Sequence, residues 1–169
     1  MDKQRKSLQD AFLEDHRRMT TGFYRLRQSL EDGDWNSARG LAEAIDREVG
    51  SHIEFEETIY YPRLKPVIGA DNVRRMYAEH QIGLGLIRDI LARGTAAPNR
   101  EACKQLAHSC QRMLEHAESC GTLTSHLAAL PATEQEDLLA TLEEIRGRAT
   151  RWTEFGQCGS LGRRQAELA

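Results

Sequence analysis

Apolar residues recur along this chain at steps of three and four, and β-branched alternation is nowhere sustained. In the first segment Phe12, His16, Met19, Phe23, Leu26 and Leu30 form one such stripe, the face that a helix turns to the core of a bundle. "EDGDWNSA" interrupts it at Gly33, and Asp34 is placed to cap a second helix with Leu41, Ile45, Val49, His52, Phe55, Glu56 and Ile59 facing inward. Pro62 to Gly69 should end that helix or kink it at Pro62, because proline has no amide hydrogen to donate. A third helix, capped by Asp71, runs to about Arg93 with Val73, Met76, His80, Gly83 or Leu84, Ile87 and Ile90 on one stripe. A fourth, from about Asn99 to Leu130, aligns Leu106, Met113, His116, Cys120, Leu123, Leu127 and Leu130. After Pro131, Thr133 and Glu136 make a capping-box pattern ahead of a shorter amphipathic helix that should pack outside the bundle. The pattern predicts an all-α protein: an up-down-up-down four-helix bundle with an extra C-terminal helix, one domain over residues 1–155. Residues 156–169, with glycines breaking any period, read as a flexible tail.

Composition narrows the function classes. A chain of 169 residues can bury one sizeable core, and nothing in its length calls for a second domain. The 23 Lys+Arg and 26 Asp+Glu nearly balance, and the basic clusters (Arg17-Arg18, Arg74-Arg75, Arg163-Arg164) are short and scattered, so no nucleic-acid footprint stands out. The charged start "MDKQRKSLQD" lacks a following apolar core, and no run of about eighteen apolar residues exists to span a membrane. A cytoplasmic protein is expected. Cys103, Cys110 and Cys120 fall on one helix, where they cannot easily pair, and Cys158 lies in the tail. Free thiols in a reducing compartment follow.

The six histidines supply the candidate chemistry. His16, His52, His80 and His116 lie one on each stripe, whereas His108 and His126 point roughly 80° away from the His116 direction and read as surface residues. Counted from each turn at about 1.5 Å per residue, the four seam histidines come to one level of the bundle. Four buried imidazoles at one height each need a donor and an acceptor satisfied, which a shared metal ion accomplishes. Glu56, one turn after His52, adds a carboxylate on the same face, and Cys120 occupies the equivalent place after His116. Mixed imidazole and carboxylate ligation suits Fe, Mn or Zn. Glu57, Glu79, Glu115 and Glu118 sit about 100° or more off the ligand direction and read as surface residues, unless the helices rotate or bulge. Glu79 is the best of them to support a ligand from behind. Met19, Phe23, Ile59, Met113 and Leu123 would line the site with apolar groups suited to O2 or NO. Tyr24, Tyr60 and Tyr77 read mainly as rim residues with wet hydroxyls.

His16, "HIEFE" (His52 to Glu56), "EH" (Glu79-His80) and "HAESC" (His116 to Cys120) together resemble the hemerythrin-like, or HHE cation-binding, family. "EDGDW", "EETIYYPRL" and "LAALPATEQEDLLATLEEI" extend the resemblance over most of residues 7–150. It implies a four-helix bundle holding a non-haem iron pair, with His16, His52, His80 and His116 as terminal ligands and Glu56 as a bridge. It also implies a protein that binds or senses O2, NO or peroxide, or handles iron. The family's enzymatic alternative is iron-sulfur repair or peroxide reduction, and a third reading is a helical interaction protein whose metal site has decayed. The chain departs from the family's oxygen carriers on the third helix, where Met76 and Leu84 flank His80 at one turn instead of a second histidine. A dedicated oxygen store is therefore disfavoured.

The second departure is Cys120 in place of a bridging carboxylate. Three accounts of it stand. Its sulfur is a thiolate ligand favouring Zn or a single Fe; it is a small buried hydrophobe beside a one-carboxylate site; or the site holds one metal or none.

Overall fold

The computed structural model describes residues 6–157, in which no strand occurs. Helix α1 (Leu8–Asp32) opens with a capping box in which Ser7 and Asp10 satisfy each other's backbone amides, and it ends at Gly33, whose φ of 75° favours a residue without a side chain. Asp34 caps α2 (Trp35–Phe55) by accepting from the Ser37 amide. A π-helical turn (Glu56–Tyr60) follows without a break and leads into α3 (Tyr61–Ile68). The second helix thus continues through Pro62, the wide turn absorbing the irregularity that proline imposes.

Helix α4 (Ala70–Arg93) starts directly after Gly69 with no side-chain cap, so Asp71 lies inside the first turn instead of capping it, where it pairs with Arg74. Asn99 caps α5 (Arg100–Thr122), which ends sooner than the apolar stripe predicts; Leu127 is carried by the separate short helix α6 (Ser125–Ala128). Helix α7 (Ala132–Arg148) has Pro131 at its N-cap and no side-chain cap, so the Thr133/Glu136 box does not form. Pro131 has no side-chain acceptor to offer the first-turn amides, and its carbonyl takes the Gln135 amide at 3.0 Å. Helix α8 (Trp152–Gln157) closes the described chain, so Gly156 and Gln157 are helical, and the rest of the expected tail lies outside the described residues.

The bundle packs α1 on α5 and α2, and α4 on α5 and α2. Helix α7 lies against α2 and α1 through Leu138, Leu139, Leu142 and Ile145, outside the four-helix core as the sequence predicts. The α8 segment is sunk deeper. Trp152 is 1% exposed, and a β-carbon at Gly83 would stand 2.4 Å from its ring, so only glycine lets the indole reach its place. The buried apolar residues fall into two clusters, one built around Met19, Phe23, Leu84, Met113 and Trp152, the other around Phe12, Phe55, Tyr61, Tyr77 and Cys120. His16, His52, Glu56, Glu57, His80 and His116 are all buried at the junction of the two. One polar layer thus divides the core, which is where a bundle places a metal site.

Candidate metal centre

The layer is organised around Glu56, whose side chain is fully buried. Its Oε1 lies 3.7 Å from His16 Nε2, 3.4 Å from His52 Nε2 and 2.8 Å from Cys120 Sγ, which donates to it. Its Oε2 lies 3.2 Å from His80 Nε2 and accepts from the Tyr61 hydroxyl at 3.3 Å. On that second side His80 Nε2 and His116 Nε2 are 2.9 Å apart, with the Tyr61 oxygen 3.0 Å from one and 3.3 Å from the other. The two imidazole pairs, His16 with His52 and His80 with His116, each have ring centroids 4.6 Å apart. All six residues named from the sequence are therefore brought together. Two sets of ligand atoms, His16/Glu56/Cys120 and Glu56/His80/His116, each gather within 4.8 Å and share the glutamate.

The Nε2 atoms face the centre, and three of the four Nδ1 atoms are engaged from behind. His80 Nδ1 meets Glu57 Oε1 at 2.9 Å, His116 Nδ1 meets Glu79 Oε2 at 2.8 Å, and His16 Nδ1 approaches the Phe12 carbonyl at 3.3 Å. His52 Nδ1 stands 3.6 Å from Asp15, which is itself held at 2.6 Å by Arg146 of α7. Partners on the far ring nitrogen fix the orientation of metal-binding imidazoles and raise their basicity. His16 Nε2 and both ring nitrogens of His52 have no hydrogen-bond partner, although all are buried. Orphaned buried nitrogens of this kind are costly unless an ion takes them. The residues present thus fit a metal.

The electrostatics without an ion are strained in the same sense. Burial opposes charge on His52 and His80, yet Glu56, with Asp15 on one side and Glu57 on the other, overcomes it and raises both to about 9. Burial and the neighbouring His52 drive His16 down to about 4. Burial likewise lowers His116 against the pull of Glu79. Glu56 stays ionised far below the usual carboxylate range, since His52 and His80 outweigh its desolvation. Burial and the Glu56 charge push the Cys120 thiol and the Tyr61 phenol well up. A cation at the centre would reverse both of the last two shifts.

Glu57 and Tyr61 correct the sequence reading. Glu57 was expected at the surface but is fully buried, because 100° around from Glu56 lies α4 and His80, not solvent. Tyr61, which sequence periodicity did not single out, enters through the π turn: its amide donates to the Glu56 carbonyl, five residues back, and the wide turn stacks it over Glu56. The hydroxyls of Tyr60 and Tyr77 are also not rim groups. Both side chains are buried, donating to the Leu123 and Glu57 carbonyls, whereas Tyr24 is exposed as expected. Glu79 holds His116 from behind, His108 is exposed, and His126 is half-buried.

The hemerythrin HHE cation binding domain family matches residues 7–120. A protein of Nostoc sp. named DNA nickase is 28% identical over 141 residues, which cover 83% of this chain and 39% of that protein. The chain thus spans well under half the length of this curated relative. No solved structure matches. Among the described residues no helix is long and apolar enough to cross a membrane. With the family matched across the four-helix core and its histidines gathered about one buried glutamate, the chain belongs to the hemerythrin HHE cation-binding family.

Proposed function

We propose that the chain binds a pair of metal ions bridged by Glu56, with iron in at least the His80–His116 half, and uses it to bind or sense a small diatomic molecule, O2 or NO. The observation that carries this reading is the division of labour on Glu56: Oε1 faces His16, His52 and Cys120, while Oε2 faces His80 and Tyr61. A carboxylate with a separate ligand cluster on each oxygen is the arrangement a bridge requires. Iron held there would supply an open coordination position for the diatomic and the electrons to polarise it.

The chain's own residues shape what can react. Phe12 packs against both His16 and His52, with centroids 4.6 and 4.7 Å away, keeping bulk water from that side. Trp152 stands edge-on to His80 at 6.4 Å and closes the other. Tyr61, buried among the ligand atoms, supplies a hydroxyl that can donate to a bound oxygen atom or join the ligands as a phenolate. A cavity of about 460 Å³ lined by Arg75, Glu79, His116, Ser119, Cys120 and Leu123 gives a small molecule a short way in from the α4–α5 surface. His16, His52, His80 and His116 are at most 5% exposed, so a small ligand suits the site and a DNA strand, the substrate that the relative's name implies, does not. Peroxide reduction is the second reading, favoured by the Cys120 thiol and Tyr61 hydroxyl, two proton donors on the same glutamate. The free thiols of Cys103, Cys110 and Cys120 suit a reducing, cytoplasmic setting.

Metal analysis after anaerobic purification tests the reading. About two ions per chain are expected, with a visible band on adding ferrous iron and air that disappears in His80→Ala. Metal far below one per chain, together with a melting temperature indifferent to chelator, would overturn it.

A further inference from the structure

We propose that the two halves of the centre take different ions: a thiophilic divalent cation of the zinc class at His16, His52, Glu56 and Cys120, and iron at Glu56, His80, His116 and Tyr61. This rests on the two-metal reading above and deepens it.

The donor sets differ in kind. The first half offers two imidazole nitrogens, one carboxylate oxygen and a sulfur; the second offers two imidazole nitrogens and two oxygens, with no sulfur. Sulfur is a soft donor that selects zinc-like ions, whereas a nitrogen and oxygen set suits iron. Two nitrogens, one oxygen and one thiolate also make a complete tetrahedral zinc shell, the closed form typical of structural zinc.

The geometry comes part of the way to such a shell: His16, Glu56 and Cys120 offer atoms that gather within 4.8 Å, and His52, which lies outside that set, must swing inward from its place beside Glu56. For metal bonds of ~2.0–2.3 Å, ligand atoms of a tetrahedron stand roughly 3.3–3.7 Å apart. His16 and His52 Nε2 lie 3.7 and 3.4 Å from Glu56 Oε1, within that range. Only the Cys120 Sγ contact, at 2.8 Å, is shorter, because a thiol hydrogen bond now occupies it. On binding, that proton leaves to solvent and a sulfur–metal bond replaces the S–H bond; no electron moves.

A second observation is independent of the cysteine. His16 Nε2 and His52 Nε2 are the two central imidazole nitrogens of the layer without a partner, and both belong to the sulfur-bearing half. The corresponding nitrogens of His80 and His116 already share contacts with Tyr61 and each other. The sulfur half is thus the one whose ring nitrogens most need an ion. A zinc-class ion closed in by four side chains leaves the open position, and all redox change, to the iron half.

The test is competitive loading. Metal-free full-length protein is given equal ferrous iron and zinc anaerobically, desalted, counted for metal, then oxidised in air and examined by electron paramagnetic resonance. Equal iron and zinc per chain, with the signal of an isolated high-spin ferric ion, is expected. Cys120→Ser, nearly isosteric and checked for an unchanged metal-free melting curve, should bind zinc at least about tenfold more weakly. Cobalt loaded in place of zinc should show a thiolate charge-transfer band in the near ultraviolet that this variant lacks. Cys120→Asp should take iron in both halves and become magnetically silent after oxidation. Two irons per wild-type chain with no isolated ferric signal would overturn the proposal, as would zinc affinity and a cobalt band unchanged in Cys120→Ser. Failure to hold either metal would instead sink the two-metal reading itself.

Discussion

Glu57 and Tyr61 follow Glu56 by one and five positions, and in a regular α-helix neither would share its face. Each nevertheless meets His80, Glu57 at Nδ1 and Tyr61 at Nε2. The hydroxyl of Tyr61 therefore acts where a fourth ligand would, on the side where Leu84 leaves the third helix without a second histidine. Tyr61→Phe keeps the ring packing on Tyr77 and removes only the oxygen. If Tyr61 becomes a phenolate ligand, the ferric wild-type protein carries a phenolate-to-iron charge-transfer band in the visible, and the variant loses it while still binding iron. An unchanged visible spectrum in Tyr61→Phe would show that the hydroxyl only donates hydrogen bonds. Neither residue carries a periodic signal at this position. The doublet "YYP" after an H-x-x-x-E stretch was the only cue in the sequence.

At the scale of elements, α7 does more than cover apolar surface. Arg146 reaches back to donate to the Ala11 carbonyl at 3.0 Å and to Asp15 at 2.6 Å, and Asp15 is the carboxylate nearest His52 Nδ1. Burial disfavours the Asp15 charge, but His52 and Arg146 together hold its carboxyl below the usual range. Arg146 is thus a positioning residue acting through Asp15. Arg146→Gln should weaken metal binding by about tenfold, read as faster loss of metal to a chelator, with Arg146→Lys restoring much of it. A variant that melts lower but keeps its metal-release rate would show that the contact is only structural. The amphipathic pattern of α7 was plain in the sequence, and so was its place outside the bundle. Its grip on the site was not, because a lone arginine 131 residues from its partner leaves no local trace.

For the whole molecule, the polar layer ties protonation to stability. In the metal-free protein His52 and His80 keep their protons up to about 9, against an ordinary value of about 6.5. The folded state then binds more protons than the unfolded chain between those values, so their contribution is full below about 6.5 and is lost as pH rises through 9. His16, held down to about 4, works in the opposite sense, its contribution present above about 6.5 and lost as pH falls through 4. Metal-free protein should therefore melt highest near pH 6.5 and lower by pH 9. Metal requires neutral imidazoles and displaces those protons, so its affinity rises with pH. The gap in melting temperature between loaded and chelated protein should widen from pH 6.5 to 9; parallel curves would mean that these imidazoles do not bind the ion.

Local rules were enough to place four helices, four seam histidines, Glu56 and Cys120. The repeat of about 3.6 residues that buries Phe12, Val49, Ile87 and Met113 carries the four histidines on the same stripes. The cap at Asp34 was equally legible, since a cap is an affair of four consecutive residues. Tertiary structure alone decided the rest. The π turn changes the periodicity that the reading assumed, packing of α2 on α4 turns Glu57 inward, and Trp152 is drawn beside His80 through the gap that Gly83 leaves. Each of these depends on what stands across the bundle from a residue, which its own neighbours in the chain do not encode.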